Sequence, residues 1–167
     1  MTRPLDEVDR TILREVTADG RQTIRALARI VGLSEPSVRD RLQRMERDGV
    51  INGYHATLDP AKVDAGTAAF IALRFGAGAA AKAIVNERLT AESCVLEVHE
   101  VAGEDCYWLK MRVSSTEALA DALDRIREIP TVYSTATTIV LRTVLERPLA
   151  AGSDLLVTSA ANGAHPG

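Results

Sequence analysis

"VGLSEPSVRDRLQRME" runs from Val31 to Glu46, and its reading decides the architecture of the first part of the chain. Gly32 is free to take a positive φ, so "GLS" makes a turn. Ser34 stands as the N-cap of a following helix, and Pro36 falls in its first turn, where a missing N–H costs little. Val38, Leu42 and Met45 recur at helical spacing and form a buried stripe. The outer side then carries Asp40, Gln43, Arg44 and Arg47, with Ser37 and Arg39 on its flanks and Ser34 and Glu35 at its leading end.

Working outward, the upstream residues predict two more helices. Leu5 to Asp19 places Val8, Ile12, Leu13 and Val16 on one side, with Asp6 as N-cap and Gly20 as the stop. Thr23 caps a short second helix whose Ile24, Leu27, Ala28 and Val31 point inward. Gly49 ends the third helix. "VINGYHATL" alternates and is rich in strand formers, so it predicts a strand to about Leu58, and "DPAKVDAG" follows as a linker.

Two helices joined by a short turn, the second presenting polar groups, make a helix-turn-helix. The major groove of duplex DNA admits one helix, and arginine can clamp guanine or phosphate in bidentate fashion. The expected DNA-facing set is therefore Ser34, Glu35, Ser37, Arg39, Asp40, Gln43, Arg44 and Arg47, with Arg21, Thr23 and Arg25 near the backbone at the start of the second helix. Arg41 lies close to the core side of the wheel, and both a structural ion pair and a DNA contact stay open for it. A plain helical bundle would instead pair Glu35 with Arg39 and Asp40 with Arg44 at i,i+4.

Charge supports the first reading. The chain of 167 residues has a formal net charge of −3. From Gly20 to Arg47, however, seven arginines face Glu35, Asp40 and Glu46, which leaves this segment at +4 and the remainder at −7. A local basic patch matters to phosphate binding more than the total does.

The second half predicts "TAAFIALRF" (67–75) as a strand, then a helix carrying Ala81, Ile84, Val85 and Leu89 on one side. Strands at "SCVLEVHEV" (93–101) and "DCYWLKMRV" (105–113) are joined by a tight turn at Ala102 to Glu104. Ser114 with Glu117 reads as a capping box for a helix burying Leu119, Leu123 and Ile126. "STATTIVLRTV" (134–144) is the last strong strand, and "DLLVTS" in the tail could add an edge strand. The order βαββαβ is the split arrangement of ferredoxin-like domains. The fold class is α+β, with a helix-turn-helix, winged-helix-like first domain at 1–50, a strand and linker at 51–66, a ferredoxin-like domain at 67–145 and a tail at 146–167. Phe70 and Trp108 give the sheet a second apolar face, for which a copy of the chain in a two-fold dimer is the cheapest cover.

Other classes fare worse. Apolar residues make up 46% and charged residues 26%, a globular balance, and no apolar run approaches the ~20 residues of a membrane span. The N-terminus lacks a secretory pattern, so the expected location is cytoplasmic. Cys94 and Cys106 are too few for a zinc cage, and the hairpin register would pair Cys94 near Arg112, which predicts two free thiols. His55, His99 and His165 are scattered without a catalytic motif, so no enzyme, catalytic residue, metal or cofactor is expected. "FGAGAAA" with Glu97 mimics a dinucleotide fingerprint, but such a sheet needs a crossover helix where only a tight turn joins the strands. The alternative kept open is a nucleotide-binding or metabolite-sensing protein whose helical domain binds a protein partner.

"LDEVDRTILREVTADGR", "LARIVGLSEPSVRDRLQRMERDGVINGYHATLDP" and "VAGEDCYWLKMRV" together resemble the leucine-responsive regulator/AsnC family, also called feast/famine regulators, over about Leu5 to Val144. The resemblance implies a transcription regulator with an N-terminal DNA-binding domain and a ferredoxin-like domain that dimerises and stacks dimers, often into octamers. It also implies that an amino acid or related small metabolite is sensed between dimers. A zwitterion needs acceptors for its ammonium and donors for its carboxylate. Gly103, Glu104 and Asp105 offer backbone N–H groups and carboxylates, and Thr135 and Thr137 offer hydroxyls from one face of the last strand. The family's hairpin pattern is Gly–acid–aromatic–Asp–Tyr; here Gly103, Glu104, Asp105, Cys106 and Tyr107 keep the first acid and the tyrosine. Asp105 replaces the aromatic and Cys106 the second acid, which removes one expected ammonium partner unless Asp105 substitutes from the opposite face.

Overall fold

Ile12, Leu13, Leu27, Ala28, Val38, Leu42 and Met45 meet in one apolar cluster because each recurs on a single side of its helix. In the computed structural model, which describes residues 3–146, this cluster joins α1 (Glu7–Ala18), α2 (Ile24–Val31) and α3 (Glu35–Arg47). Each helix starts where its cap sits. Asp6 accepts from the Asp9 N–H, Thr23 from Ala26 and Ser34 from Ser37. Gly32, at φ 68°, takes the left-handed conformation that makes the α2–α3 turn.

The chain divides into two compact units, one running to Thr57 and one spanning Leu58 to Val144. Within the first, the expected strand at 51–58 does not form: residues 51–59 hold no strand pairing. A strand needs a neighbouring edge, and three helices offer none. The segment instead folds back on its own unit. Val50 and Ile51 donate backbone bonds to the Met45 carbonyl, and the Tyr54 hydroxyl donates to Glu46 Oε1 at 2.9 Å.

In the second unit, a short 3-10 turn (Pro60–Val63) leads into a four-stranded sheet of β1 (Thr67–Phe75), β2 (Val95–Glu100), β3 (Tyr107–Val113) and β4 (Val132–Ile139), ordered β2-β3-β1-β4. Every neighbouring pair is antiparallel. That removes the dinucleotide reading of "FGAGAAA", which needs parallel strands around the phosphate turn. Helices α4 (Ala79–Ala91) and α5 (Thr116–Arg127) cover the face bearing Ile71, Leu73, Leu109 and Met111.

Boundaries shift where pairing dictates. β4 begins at Val132, opposite Phe75, and ends at Ile139, opposite Ala69, with one further bond from the Val140 N–H to the Ala68 carbonyl at 2.9 Å; β1 itself starts at Thr67, so the strand expected to 144 has no edge to continue along. β2 starts at Val95 after a turn at Ser93–Cys94, and β3 starts at Tyr107. The cap of α5 is Ser115, not Ser114; its third residue is then Ala118, which has no side chain to return a bond, so a single cap bond replaces the capping box. Arg112 donates its backbone N–H to the Cys94 carbonyl at 3.0 Å, and both cysteines are free, as the hairpin register requires. "DLLVTS" lies outside the described residues. Among the described residues no helix is long and apolar enough to cross a membrane.

Candidate functional site

The outer side of α3 follows from its inner one. With Val38, Leu42 and Met45 buried, Glu35, Ser37, Arg39, Asp40, Gln43 and Arg47 are all exposed. Ser34 and Ser37 share a hydroxyl–hydroxyl bond of 2.8 Å at the helix start, so both are turned toward the cap. On α2, Thr23 spends its hydroxyl on the Ala26 N–H, while Arg21 and Arg25 are exposed. Arg21, Arg25, Arg39 and Arg47 make no ion pair among the described residues. Their charges stand free for phosphate oxygens, alongside the amide-rich N-terminus of α2.

Arg44 departs from this set. Its guanidinium lies 2.7 Å from Asp9 Oδ2 on α1. Arg41 lies 2.7 Å from Asp9 Oδ1 and 2.7 Å from Asp6 Oδ2. The i,i+4 pairing of Asp40 with Arg44 is therefore replaced by a link to another helix, and the open reading of Arg41 resolves as a structural ion pair. The Arg41 guanidinium holds the Asp6 carboxyl down from 3.8 to about 2. Asp6 in turn raises Arg41. Asp9 escaped the sequence reading because an acid in a first helical turn looks like ordinary dipole complement; the i,i+3 spacing of Asp6 and Asp9 was the available signal.

The β2–β3 hairpin holds the expected effector residues from Gly103 to Tyr107, but not in one cluster. Arg74, on the uncovered face of the sheet, gathers Asp105 (2.9 Å) and Glu104 (3.1 Å). The Trp108 indole N–H also donates to Asp105 at 3.3 Å. Arg74 foremost, then Trp108, keeps Asp105 below the usual carboxylate range. Gly103 sits at the hairpin tip with φ 155°. Cys106 directs its thiol at the Phe75 carbonyl, 3.8 Å away, and is thus no carboxylate substitute. Tyr107 is buried, meets Phe75 edge-on at 4.9 Å and donates its hydroxyl to Asn86 of α4 at 2.7 Å.

Thr135 and Thr137 lie opposite Leu73 and Ile71, on the helix-covered face. They share that face with Tyr107 but are separated from it by the width of β1, roughly 10 Å at ordinary strand spacing. Thr135 accepts from Arg127 at 3.1 Å, and the Thr137 hydroxyl is buried without a partner among the described residues. Within one chain, then, the hairpin carboxylates face one way and Tyr107 with the threonines the other.

Comparison with known proteins gives matches over nearly the whole described chain. Residues 5–52 match a winged helix-turn-helix DNA-binding model, and residues 68–150 match the Lrp/AsnC ligand binding domain. The HTH-type transcriptional regulator LrpA of Mycobacterium tuberculosis is 40% identical over 146 residues, 86% of this chain and 94% of the relative. The leucine-responsive regulatory protein of Salmonella typhimurium is 35% identical, across 85% of this chain and 88% of its own. A solved feast or famine regulatory protein from M. tuberculosis, complexed with L-methionine, superposes with a TM-score of 0.77 at 39% identity, covering 85% of this chain and 95% of that one.

Proposed function

This chain belongs to the Lrp/AsnC family of DNA-binding transcription regulators, and from that premise we propose that it reads duplex DNA with the outer side of α3 and answers to an amino acid or closely related metabolite. The observation that carries the DNA surface is the set of exposed, unpaired arginines Arg21, Arg25, Arg39 and Arg47 around a helix whose apolar stripe is fully engaged. Gln43, Asp40, Ser37 and Glu35 are the groups on that side able to address base edges, with Ser34 and Thr23 fixing the two helix starts. Arg44 is left out of the surface, since it serves Asp9.

The active form is a homodimer. The uncovered sheet face exposes Phe70 at 46% and Trp108 at 54%, set among Ala72 and Ala136. A second copy related by a two-fold axis would bury both aromatics and place two α3 helices on half-sites about one helical turn apart, or a multiple. Further stacking of dimers, up to an octamer, would bring a hairpin of one dimer to another. There Glu104 and Asp105 serve the ammonium, while Arg74 and the Gly103 backbone serve the carboxylate. The relative solved with L-methionine supports this class of effector. Ligand binding would shift the equilibrium between assemblies and so the DNA spacing that fits. The chain acts as a regulator rather than an enzyme, in the cytoplasm where the DNA is.

Anisotropy titration of a random duplex library, followed by enrichment of the bound fraction, tests the reading. A preferred, palindromic duplex bound with strong salt dependence is expected. Salt-insensitive binding, or none, would reject it in favour of a protein partner for the helical unit.

A further inference from the structure

Asp9 is the only charged residue wholly withdrawn from solvent among the described residues. A carboxylate so placed is costly unless it is fully partnered. It is partnered twice over: Oδ1 receives Arg41 and Oδ2 receives Arg44, both at 2.7 Å, and Oδ2 also accepts the Asp6 backbone N–H at 3.2 Å. An apolar residue could fill the same space at no such expense, so packing alone does not account for an acid here. What a doubly bonded carboxylate adds is orientation. Arg41 and Arg44 are i,i+3 neighbours on one flank of α3, and two bonds into one α1 side chain fix both the rotation and the slide of that helix.

Rotation is what a reading helix must control, since each residue is about 100° around the axis from the next. A modest turn of α3 would exchange Gln43 and Asp40 for their neighbours at a base edge. The same bonds withdraw a cation. Arg41 has a second carboxylate in Asp6, whereas Asp9 is the partner of Arg44. Without Asp9, Arg44 would be an additional free guanidinium on the flank that Ser37 shares, able to bind any phosphate without regard to sequence.

We propose that Asp9 is a positioning residue for sequence reading: by holding Arg41 and Arg44 against α1, it sets the rotation of α3 and keeps the Arg44 charge off the phosphates. The proposal rests on the DNA-binding reading and deepens it. Asp9 acts through α3 and touches no DNA itself.

The experiment uses the full chain, the duplex enriched from the random library and an unrelated duplex of equal length, each titrated by anisotropy across a salt series. Asp9→Asn keeps the shape but cannot hold two guanidiniums. With circular dichroism showing the helices retained, the preference for the enriched duplex falls tenfold or more. The salt slope on the unrelated duplex steepens by about one released counterion. Adding Arg44→Gln to Asp9→Asn returns that slope to the parent's, which loss of structure alone would not do. A preference and slope equal to the parent's overturn the proposal while leaving DNA binding intact. If Asp9→Asn does not fold, Arg44→Gln alone decides. An unchanged slope on both duplexes supports the withdrawal of Arg44, and a loss of about one on the enriched duplex shows that it reaches phosphate and overturns it. Absence of binding to any duplex overturns the DNA-binding reading itself, and this proposal with it.

Discussion

Arg74 of β1 and Asp105 at the foot of β3 lie 2.9 Å apart, so the acid that the hairpin offers to a ligand already carries a cation. Glu104 joins the same guanidinium at 3.1 Å. The three groups together present both signs of charge, which is what a zwitterion matches: its ammonium takes a carboxylate and its carboxylate takes the guanidinium. Arg74→Gln should therefore abolish most of the rise in melting temperature that an effective amino acid gives the parent in a screen of the twenty. Glu104→Gln should reduce it in part. A rise in Arg74→Gln equal to the parent's would take this cluster out of the ligand site.

Phe70 and Trp108 flank Ala72 on the face of the sheet opposite the helices. Introducing a charge there penalises only a state in which the face is covered, because an exposed position tolerates aspartate. Phe70→Asp should shift the chain from dimer toward monomer in sedimentation equilibrium, with a loss in dimer affinity of tenfold or more and little change in the melting of the separated chain. An unchanged mass distribution would place the dimer interface elsewhere.

Much of this was legible from the pattern of residues, and most of the exceptions share a cause. Helices α1, α2 and α3 announce themselves through caps and 3.6-residue periodicity, both local properties, and all three caps at Asp6, Thr23 and Ser34 are in place. The antiparallel order around Gly103 was readable from the shortness of its turn. What the pattern did not show depended mostly on partners distant in the chain; the cap of α5, one residue later than expected at Ser115, is the local exception. The segment 51–58 alternates like a strand, but alternation does not create an edge to pair with. Arg44 sits on an outer arc of the wheel, yet an acid on another helix takes its side chain. Thr135 and Thr137 were correctly placed on one face, but only the register against β1 tells which face is covered.

Acid should loosen the first unit through Asp6. Its folded-state pKa is depressed to about 2 from 3.8, chiefly by the Arg41 bond. A depressed carboxyl contributes stability that is complete above its unfolded pKa and lost as pH falls through the folded value. The window is therefore about pH 4 down to pH 2, with screening by solvent trimming the effect because Asp6 is partly exposed. Asp6→Asn keeps an N-cap but loses the charge. In urea titrations of the helical signal it should be less stable than the parent at pH 6, and the difference should shrink towards pH 2. A constant difference across that range would show that the Asp6–Arg41 pair contributes nothing titratable.

Arg39 and Gln43 stand on the same exposed side of α3, but their chemistry predicts different losses. A free guanidinium on the flank meets phosphate, so Arg39→Gln should weaken every duplex by a similar factor and lower the salt slope by about one. Gln43 carries no charge and can bond two atoms of an adenine edge, so Gln43→Ala should leave the slope alone and weaken the preferred duplex by roughly 1–3 kcal/mol. Binding to an unrelated duplex should then be unchanged. The two variants together test the orientation of α3 as well as its contact with DNA. If Gln43→Ala weakens both duplexes equally, or Arg39→Gln leaves the slope untouched, the helix lies in the groove in a different rotation from the one its buried stripe implies.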